Sequence, residues 1–546
     1  MTVGECAPWL SFFRHVPCGP APDSVPITRL GGACCPGEMM SLSLSLNARE
    51  AIREVAIDVS ELRRDDGSAI PSAALDVFVV REWDQAGVGV YQSQRARVAE
   101  LLLKDGQADL RDGYGRSCGH WRHFRRRGPF YAPPDLRLHG AARTALDEKT
   151  PQQVWIALRI PADASAGLYR GELRVRAILP SLGCTYLPLD VDVLPLTLAE
   201  SARDRFLWYR GSLDCRRPRY YLSEALFRAQ LEDIQAHGFR TISLGESDPA
   251  LLQCAVDIAH ATGFRGRVVL TDPFPPRLDA VDFHGLQPVL YISDEMDSRG
   301  PAAVAAHVAN AREAKRRGVP TMCALVQEQF ARRLFDAGDI AHPPDILLHY
   351  LPRNREFFAL LSEVPELRRR PTYFYWHAHM EKPLVHRVLA GIYFWKSGAD
   401  GIAPYCYQHL PEHPYSPYDD FDEWDSHERV VSGGHALKDH LATYPARRGS
   451  VPTLQWKGLS AGLYDLRYLE TLAELQRQAA TRGGAAASLA REIETAVGAL
   501  LARIPLREIE ITSDEDLRPY PDLEAHDLEA FRELVARGAV EIQNLL

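Results

Sequence analysis

The chain has 546 residues, of which 46% are hydrophobic and 25% are charged, and its formal net charge at pH 7 is −9. This length exceeds that of one ordinary domain and predicts two or three domains. The acidic balance argues against a general nucleic-acid-binding protein, and no apolar run reaches the roughly 18 residues that a transmembrane helix requires.

The N-terminus lacks the basic start and the apolar segment of a signal peptide. The chain has ten cysteines without CxxC pairing: Cys34 and Cys35 are adjacent, and Cys323 and Cys406 fall in apolar, strand-like runs. This pattern predicts reduced, buried thiols rather than a disulfide framework or a zinc site. We therefore expect a cytoplasmic protein.

Residues 1–200 are rich in predicted strands that show period-two alternation of apolar and polar residues. Turn signals separate these strands, and no helical pattern lies between them, so we predict an N-terminal antiparallel β-sandwich. The alternating runs cover residues 39–48, 53–60, 75–83, 153–161, 171–180 and 186–196.

From residue 201 the pattern changes, because strand-like runs now alternate with predicted helices. The helix expected over 223–238 starts with a capping Ser223 and closes with Gly238, and a second helix is expected over 300–318. This alternation predicts a (β/α)8 TIM-type barrel over residues 201–470. Its strands are expected at 205–211, 239–246, 266–272, 289–295, 321–326, 345–351, 372–378 and 401–408.

An open doubly wound sheet is the alternative to the barrel. Such a sheet would usually carry a Gly-rich phosphate-binding loop, and neither GxGxxG nor GxxxxGK[ST] occurs in the chain. Residues 471–546 are predicted to form helices that pack on the outside of the barrel.

Polar and aromatic residues gather at the predicted strand ends, where the chemistry of a β/α barrel is located. Aromatic faces stack on the apolar C–H patches of sugar rings, so this set indicates a glycan pocket. Alternation along "YFYW" (373–376) should place only part of that cluster in the pocket. The strand-end residues are Arg210, Glu246, Asp272, Asp294, Glu295, His349, Trp376, His377, Tyr405 and Tyr407.

The most informative stretch is "VLYISDEMD" (289–297), in which a strand ends in the adjacent acids Asp294 and Glu295. Neighbours on a strand point to opposite faces, so both acids can face one pocket only if the strand bends or ends between them. The two carboxylates of a conventional retaining glycosidase lie about 5 Å apart across the scissile bond. An adjacent pair suits substrate-assisted catalysis better, with one acid protonating the leaving oxygen and the other holding a 2-acetamido group that attacks.

Several stretches of the chain resemble glycoside hydrolase family 123 and the wider group of bacterial proteins that share its catalytic domain. "LYISDEMD" is similar to the catalytic strand of this family, and only part of the family's closing pattern is retained in 444–472, as expected of a distant member. The other similar stretches are "QQVWIALRIPADASAGLYRGELRVRA" (152–177) and "HRVLAGIYFWKSGADGIAPYCYQ" (386–408).

The resemblance implies a β-sandwich followed by a β/α barrel and a glycosidase that acts on a terminal 2-acetamido-2-deoxy sugar such as an N-acetylgalactosaminide. By resemblance, Asp294 would orient the acetamido group and Glu295 would act first as general acid and then as base. We expect a raised pKa for Glu295, an ionised Asp294, and no cofactor or metal. The expected partner is a carbohydrate rather than nucleic acid or a membrane, and formation of a homo-oligomer is left open.

Three other functions compete with this reading. A conventional retaining glycosidase would use Glu246 or Asp272 as the nucleophile opposite Glu295. A metal-dependent hydrolase would use the pair His377 and His379, completed by a further group such as His349, His386, Asp272 or Asp294. The third alternative is a glycan-binding protein that kept the fold without turnover.

Overall fold

The computed structural model describes most of the chain. Within the described residues, no helix combines the length and the apolar character that crossing a bilayer requires. The described ranges are 9–17, 22–86, 95–110, 133–179, 182–217, 220–271, 278–336, 339–351, 354–377, 383–409, 418, 440–504, 506 and 523–546.

The N-terminal part of the chain consists of short strands, most of which alternate buried and solvent-facing residues as their sequences predict. The strands are β1 (Leu10–Arg14), β2 (Leu30–Cys34), β3 (Met39–Ala48), β4 (Ile52–Val59), β5 (Leu62–Arg63), β6 (Ala69–Ile70), β7 (Leu75–Ala86), β8 (Arg95–Leu103), β9 (Ala142–Leu146), β10 (Gln152–Arg159), β11 (Gly167–Ala177) and β12 (Cys184–Val193).

These strands form two sheets, in the orders β1-β3-β10-β7-β8 and β2-β12-β11-β4-β9. All pairs on these two paths are antiparallel except β2, which runs parallel to β12. Apolar side chains of both sheets, such as Leu44 and Ile156 from one and Leu173 and Val191 from the other, belong to a single buried cluster. The predicted antiparallel sheets are confirmed, and their description as a sandwich stays a prediction.

The second part of the chain contains a closed barrel of eight parallel strands that follow one another in chain order. The prediction of a barrel rather than an open sheet is therefore confirmed. Its strands are β13 (Asp204–Leu207), β14 (Thr241–Leu244), β15 (Arg267–Leu270), β16 (Gln287–Ser293), β17 (Thr321–Leu325), β18 (Ile346–Tyr350), β19 (Thr372–Tyr375) and β20 (Gly401–Ile402).

Helices connect most of the barrel strands, but the alternation is not regular throughout. Between β15 and β16 the described residues form only a 3-10 turn at Leu278–Ala280, and the first described helix after β20 begins at Leu454. The helices are α1 (Glu224–Ala236), α2 (Pro249–Ala261), α3 (Pro301–Arg317), α4 (Glu328–Phe335), α5 (Asn354–Glu363), α6 (Pro365–Arg368), α7 (Pro383–Val388), which continues through a π-helical turn (Leu389–Tyr393), and α8 (Phe394–Ser397).

The barrel wall separates two sets of side chains by strict alternation. On β19, Tyr373 and Tyr375 face the interior cluster, whereas Phe374 belongs to the cluster between the strands and the outer helices. Gly401 on β20 is required sterically, because a Cβ at this position would lie 2.7 Å from the ring of Tyr373. The last glycine of "GADG" (398–401) thus leaves room for the ring of Tyr373 inside the barrel.

The chain after the barrel starts with a two-stranded sheet, β21 (Thr443–Ala446) and β22 (Gly449–Pro452), followed by helices α9 (Leu454–Arg482), α10 (Gly484–Ala502) and α11 (Ala525–Leu545). Thr453 caps α9 by accepting a hydrogen bond from the backbone N–H of Trp456 at 3.1 Å. The helix starts well before the helical stretch expected from residue 471. The predicted boundary at 470 lies inside α9, and the division into three domains stays a prediction.

Helix α9 contacts both earlier parts of the chain. Gln455 donates to Glu100 of β8 at 3.1 Å, and the hydroxyl of Tyr464 donates to the backbone carbonyl of Gly37 at 3.2 Å. Asp465, whose side chain is 1% exposed, accepts hydrogen bonds from Arg387 of α7 and Arg532 of α11. These contacts link the N-terminal sheets, the barrel and the last helix through one element.

Candidate active site

A cavity of about 540 Å³ lies at the carboxyl ends of the barrel strands. It is lined by residues in the last part of the strands and by residues that follow them, in agreement with the usual location of active sites in such barrels. The lining includes the side chains of Trp208, Arg210, Arg217, Tyr291, Asp294, Glu295, Arg299, Tyr375, His377, Tyr405, His409 and His440.

Both members of the acid pair line this cavity. The register between β16 and β17 shifts between Tyr291 and Ser293, and Glu295 has a φ of 47°. A positive φ is uncommon for a residue with a side chain and turns the chain sharply. The backbone N–H of Glu295 donates to the carbonyl of Ala324 at 3.1 Å, which anchors this turn. A bend between adjacent residues therefore brings two carboxylates to the same side.

Asp294 is held by two groups while remaining open to solvent. The hydroxyl of Tyr291 donates to Oδ1 at 2.7 Å, and Arg299 forms an ion pair with Oδ2. The side chain of Asp294 is 50% exposed. Because both oxygens accept charge-assisted hydrogen bonds, the carboxylate has a defined orientation before any ligand binds.

Glu295 has different surroundings. Its side chain is half-buried, and the hydroxyl of Tyr375 donates to Oε1 at 2.8 Å. Burial raises the pKa of Glu295, and the negative charge of Asp294 adds to this effect, whereas the Tyr375 hydrogen bond opposes it. Neighbouring carboxyl groups in unlike environments are a common basis for separate acid and base roles.

Replacing Tyr375 by Phe should shift the basic limb of the pH–rate profile to higher pH. The hydroxyl donates to the charged carboxylate, so its loss destabilises that form and raises the pKa of Glu295 further. If Glu295 acts as an acid, activity falls as pH rises through this pKa, and the variant keeps activity to higher pH. The pH dependence of kcat/KM for both proteins checks this, and an unchanged or lowered basic limb contradicts it.

Aromatic side chains form the floor and one wall of the cavity. The ring of Trp208 lies 4.8 Å from the Tyr291 ring and 6.1 Å from the Tyr405 ring, measured between centroids. Tyr405 accepts a hydrogen bond from Arg210 at 2.7 Å. Desolvation lowers the pKa of His377 to about 4, so its imidazole is neutral at neutral pH and can both donate and accept.

The structure brings Arg210, His377 and Tyr405 to the cavity together with the acid pair, as the strand-end analysis predicts. Their contact with a sugar stays a prediction. Tyr405 is joined to Cys406 by a cis peptide bond.

Four other predicted sugar-contacting residues do not line the cavity. Glu246 is buried, with Oε2 accepting from the Ser212 hydroxyl at 3.0 Å and Oε1 from the backbone N–H of Leu213 at 2.8 Å. His349 is buried and stacks on Phe357, with the ring centroids 3.9 Å apart.

Trp376 and Tyr407, the other two, point to the outer helices. The indole N–H of Trp376 donates to His386 at 3.0 Å, and the hydroxyl of Tyr407 donates to Asp233 of α1 at 2.9 Å. Both are fully buried in the cluster between the strands and the outer helices. Trp376 is placed there because it alternates with the inward-facing Tyr375.

Several cavity residues are absent from the sequence-based set, notably Tyr291, Arg299 and Tyr375 with the floor residue Trp208. Alternation offered a signal for two of them. Tyr375 shares the face of His377 two positions later, and Trp208 shares that of Arg210. Arg299 and the rim histidine His440 come from loops, for which the sequence carries no periodic signal.

Within the described residues, no cluster of three or more His, Cys, Asp or Glu side chains lies close enough to hold a metal ion. His379 and Asp272, two residues of the metal hypothesis, lie outside the described part of the chain. Cys34, Cys35, Cys323 and Cys406 are buried free thiols, as their sequence context predicts.

Comparison with known proteins gives a family match for the N-terminal part of the chain and a structural match along nearly its whole length. Residues 32–177 match the model of the glycoside hydrolase 123 N-terminal domain. A family 123 glycoside hydrolase from Clostridium perfringens, described for glycolipid glycan hydrolysis, superposes with a TM-score of 0.63 at 12% identity, over 98% of this chain and 99% of that chain. No curated protein sequence matches the chain.

Two further solved glycosidases are much less similar. A β-glucuronidase from Bacteroides uniformis has a TM-score of 0.28 at 10% identity, covering 73% of this chain and 46% of its own. An exo-β-1,4-mannosidase from an Opitutaceae bacterium has a TM-score of 0.29 at 12% identity, with coverages of 50% and 63%. The matched N-terminal domain and the fold shared along nearly the whole chain confirm the resemblance to glycoside hydrolase family 123 that the sequence shows.

Proposed function

We propose that the protein is a glycoside hydrolase that removes a terminal 2-acetamido-2-deoxy sugar, N-acetylgalactosaminide-like, by substrate-assisted catalysis with retention of configuration. The observation that carries the proposal is the bend at Glu295, which presents two adjacent carboxyl groups with unlike surroundings to one cavity. The family match and the fold support a glycosidase.

In the proposed mechanism, Glu295 protonates the glycosidic oxygen as the bond to the anomeric carbon breaks. The acetamido carbonyl oxygen attacks that carbon from the opposite face and forms a cyclic oxazolinium ion. Asp294, oriented by Tyr291 and Arg299, stabilises the positive charge that develops on the acetamido nitrogen. Glu295, now a carboxylate, takes a proton from the water that opens the ring.

A conventional two-carboxylate mechanism is less favoured by the arrangement of Glu246. Both of its oxygens already accept hydrogen bonds, and it does not line the cavity, so it is badly placed as a nucleophile opposite Glu295. Asp272, the other candidate for that role, lies outside the described residues. A glycan-binding protein without turnover would retain the cavity but show no hydrolysis.

The proposal is tested with pairs of nitrophenyl glycosides that differ only at carbon 2, carrying either an acetamido group or a hydroxyl group. We expect hydrolysis of the 2-acetamido member, with retention seen by NMR, and no measurable hydrolysis of the hydroxyl member. A sugar-fused thiazoline that mimics the cyclic intermediate should inhibit competitively. Equal hydrolysis of both members supports the conventional mechanism, and binding without hydrolysis supports the non-catalytic alternative.

A further inference from the structure

The charged residues of the cavity are unevenly balanced. Arg210, Arg217 and Arg299 line it together with two acids, Asp294 and Glu295, although the whole chain carries a formal net charge of −9. Arg299 is paired with Asp294. In the part of the chain that the structure describes, no carboxylate lies at salt-bridge distance from Arg210 or Arg217, whose hydrogen bonds go to uncharged oxygens.

Arg210 is fixed in place by aromatic neighbours. One of its terminal nitrogens donates to the Tyr405 hydroxyl at 2.7 Å, and its guanidinium carbon lies 4.8 Å from the centroid of the Tyr220 ring. The side chain is half-buried. A guanidinium group has five N–H donors, and within the described residues Arg210 uses one of them in a hydrogen bond while its side chain lines the cavity.

Arg217 reaches the same ring from the following loop. Its guanidinium carbon lies 6.0 Å from the Tyr220 centroid, and one terminal nitrogen donates to the backbone carbonyl of Gly245 at 2.6 Å. Gly245 makes room for it, because a Cβ there would lie 2.7 Å from that nitrogen. Two half-buried guanidinium groups are thus held against one tyrosine.

Two acids of the described part of the chain, Glu246 and Asp214, interact electrostatically with Arg217 but form no ion pair with it. Glu246 is bonded to Ser212 and Leu213, and Asp214 accepts hydrogen bonds from Arg216 through both carboxylate oxygens. Arg210 and Arg217 both lie near the Tyr220 ring, so an anion bound beside this ring would be attracted by two positive charges. Recognition of neutral hydroxyl groups would need hydrogen-bond donors but not two positive charges.

We propose that the cavity selects 2-acetamido sugars that carry an anionic oxygen group, either a sulfate ester on the sugar or the carboxylate of an adjoining uronic acid, and that Arg210 and Arg217 bind this group. The inference rests on the glycosidase function proposed above and narrows its substrate class. Arginine suits sulfate and carboxylate because its planar N–H pairs match two oxygens at once.

The test measures binding separately from turnover, with methyl thioglycosides of the 2-acetamido sugar that resist hydrolysis. The ligands are the unsulfated parent, its 4- and 6-sulfate esters, and a disaccharide with an adjoining uronate beside its neutral counterpart. Calorimetric titration of the full-length protein should show at least one anionic ligand binding about 10-fold or more tightly than its neutral counterpart. Added salt should reduce this ratio, and the ligand pair that shows the preference identifies the source of the charge.

Arg210→Gln and Arg217→Gln should each bring the affinity ratio close to one. Arg216→Gln is the matched control, since this neighbouring arginine is exposed, pairs with Asp214 and does not line the cavity, and it should keep the wild-type ratio. Equal or weaker binding of every anionic ligand overturns the inference, as does a ratio that both cavity variants retain. Hydrolysis of 2-acetamido glycosides without tighter binding of anionic ligands would support the proposed function and refute only the substrate class. Tighter binding of anionic ligands without hydrolysis would support the binding of an anionic group and refute the proposed function.

Discussion

Replacing Glu295 by Gln should lower kcat/KM by about 100- to 10,000-fold for a 2-acetamido glycoside whose leaving group is a sugar. Such a leaving group departs only when its oxygen is protonated, and glutamine cannot supply the proton. With nitrophenolate as the leaving group, the loss in kcat/KM should be much smaller, because this anion departs without a proton. Comparison of the two substrates therefore isolates the role of Glu295 as an acid.

Replacing Asp294 by Asn should give a different pattern, with a loss of about 100- to 1000-fold that does not depend on the leaving group. Its charge acts on the acetamido group rather than on the departing oxygen.

Asp297 provides a control from the same stretch, because its carboxylate accepts a hydrogen bond from the backbone N–H of Val326 at 2.9 Å and it does not line the cavity. Asp297→Asn should lower stability while leaving kcat/KM for both substrates close to the wild-type values. For the Glu295→Gln variant, an equal loss of kcat/KM on both substrates would contradict the assignment of Glu295 as the general acid.

Replacing Asp465 by Asn should destabilise the protein by about 3–5 kcal/mol. Asp465 accepts from Arg387 at 2.8 Å and from Arg532 at 2.7 Å, and its side chain is 1% exposed. The variant keeps the shape of the side chain but leaves two guanidinium groups without their shared counter-charge. Urea unfolding measured by circular dichroism gives the change in the free energy of unfolding.

The pH dependence of stability adds a second readout. Burial opposes ionisation of Asp465, but the charges of Arg387 and Arg532 hold its pKa below the usual value. A lowered folded-state pKa contributes stability above the unfolded pKa, and that contribution is lost as pH falls through the folded value. Asp465→Asn should lack this part of the decrease in the free energy of unfolding at low pH. Glu533→Gln, which breaks the exposed pair with Arg537, should change the free energy by less than about 1 kcal/mol, and a similar effect of both variants contradicts the prediction.

The sequence predicts the barrel well because each of its strands is a short apolar run between turn signals. Six of the eight predicted runs contain a whole barrel strand of the structure, and the other two overlap β13 and β16, which start one and two residues earlier. The early start of α9 was not predicted. Residues 454–469 contain Gly458 and Gly462, which are poor helix formers, yet Cβ atoms there would lie 2.3 Å from the carbonyl oxygens of Pro383 and Arg387. Close packing on α7 therefore outweighs intrinsic helix propensity.

The site was predicted in part, for a reason that is visible along β19. A residue at a strand end lies close to the cavity. Whether its side chain faces inward depends on its place in the alternation of side chains along the strand. Trp376 lies at the strand end but faces the outer helices, whereas Tyr375 lies at the strand end and faces the barrel interior. The positive φ of Glu295 has no sequence signal of its own, since glutamate rarely adopts that conformation.

The linkage through α9 also constrains how this protein can change over evolutionary time. Glu38, near the start of the chain, accepts a hydrogen bond from Arg532 of the last helix at 3.2 Å, and Arg532 also binds Asp465 of α9. Segments that lie far apart in the sequence are therefore joined by one network of ion pairs among Glu38, Asp465 and Arg532. A recombination event that exchanges only the N-terminal sheets would separate Glu38 from its partner, so viable chimaeras should inherit both ends from the same parent.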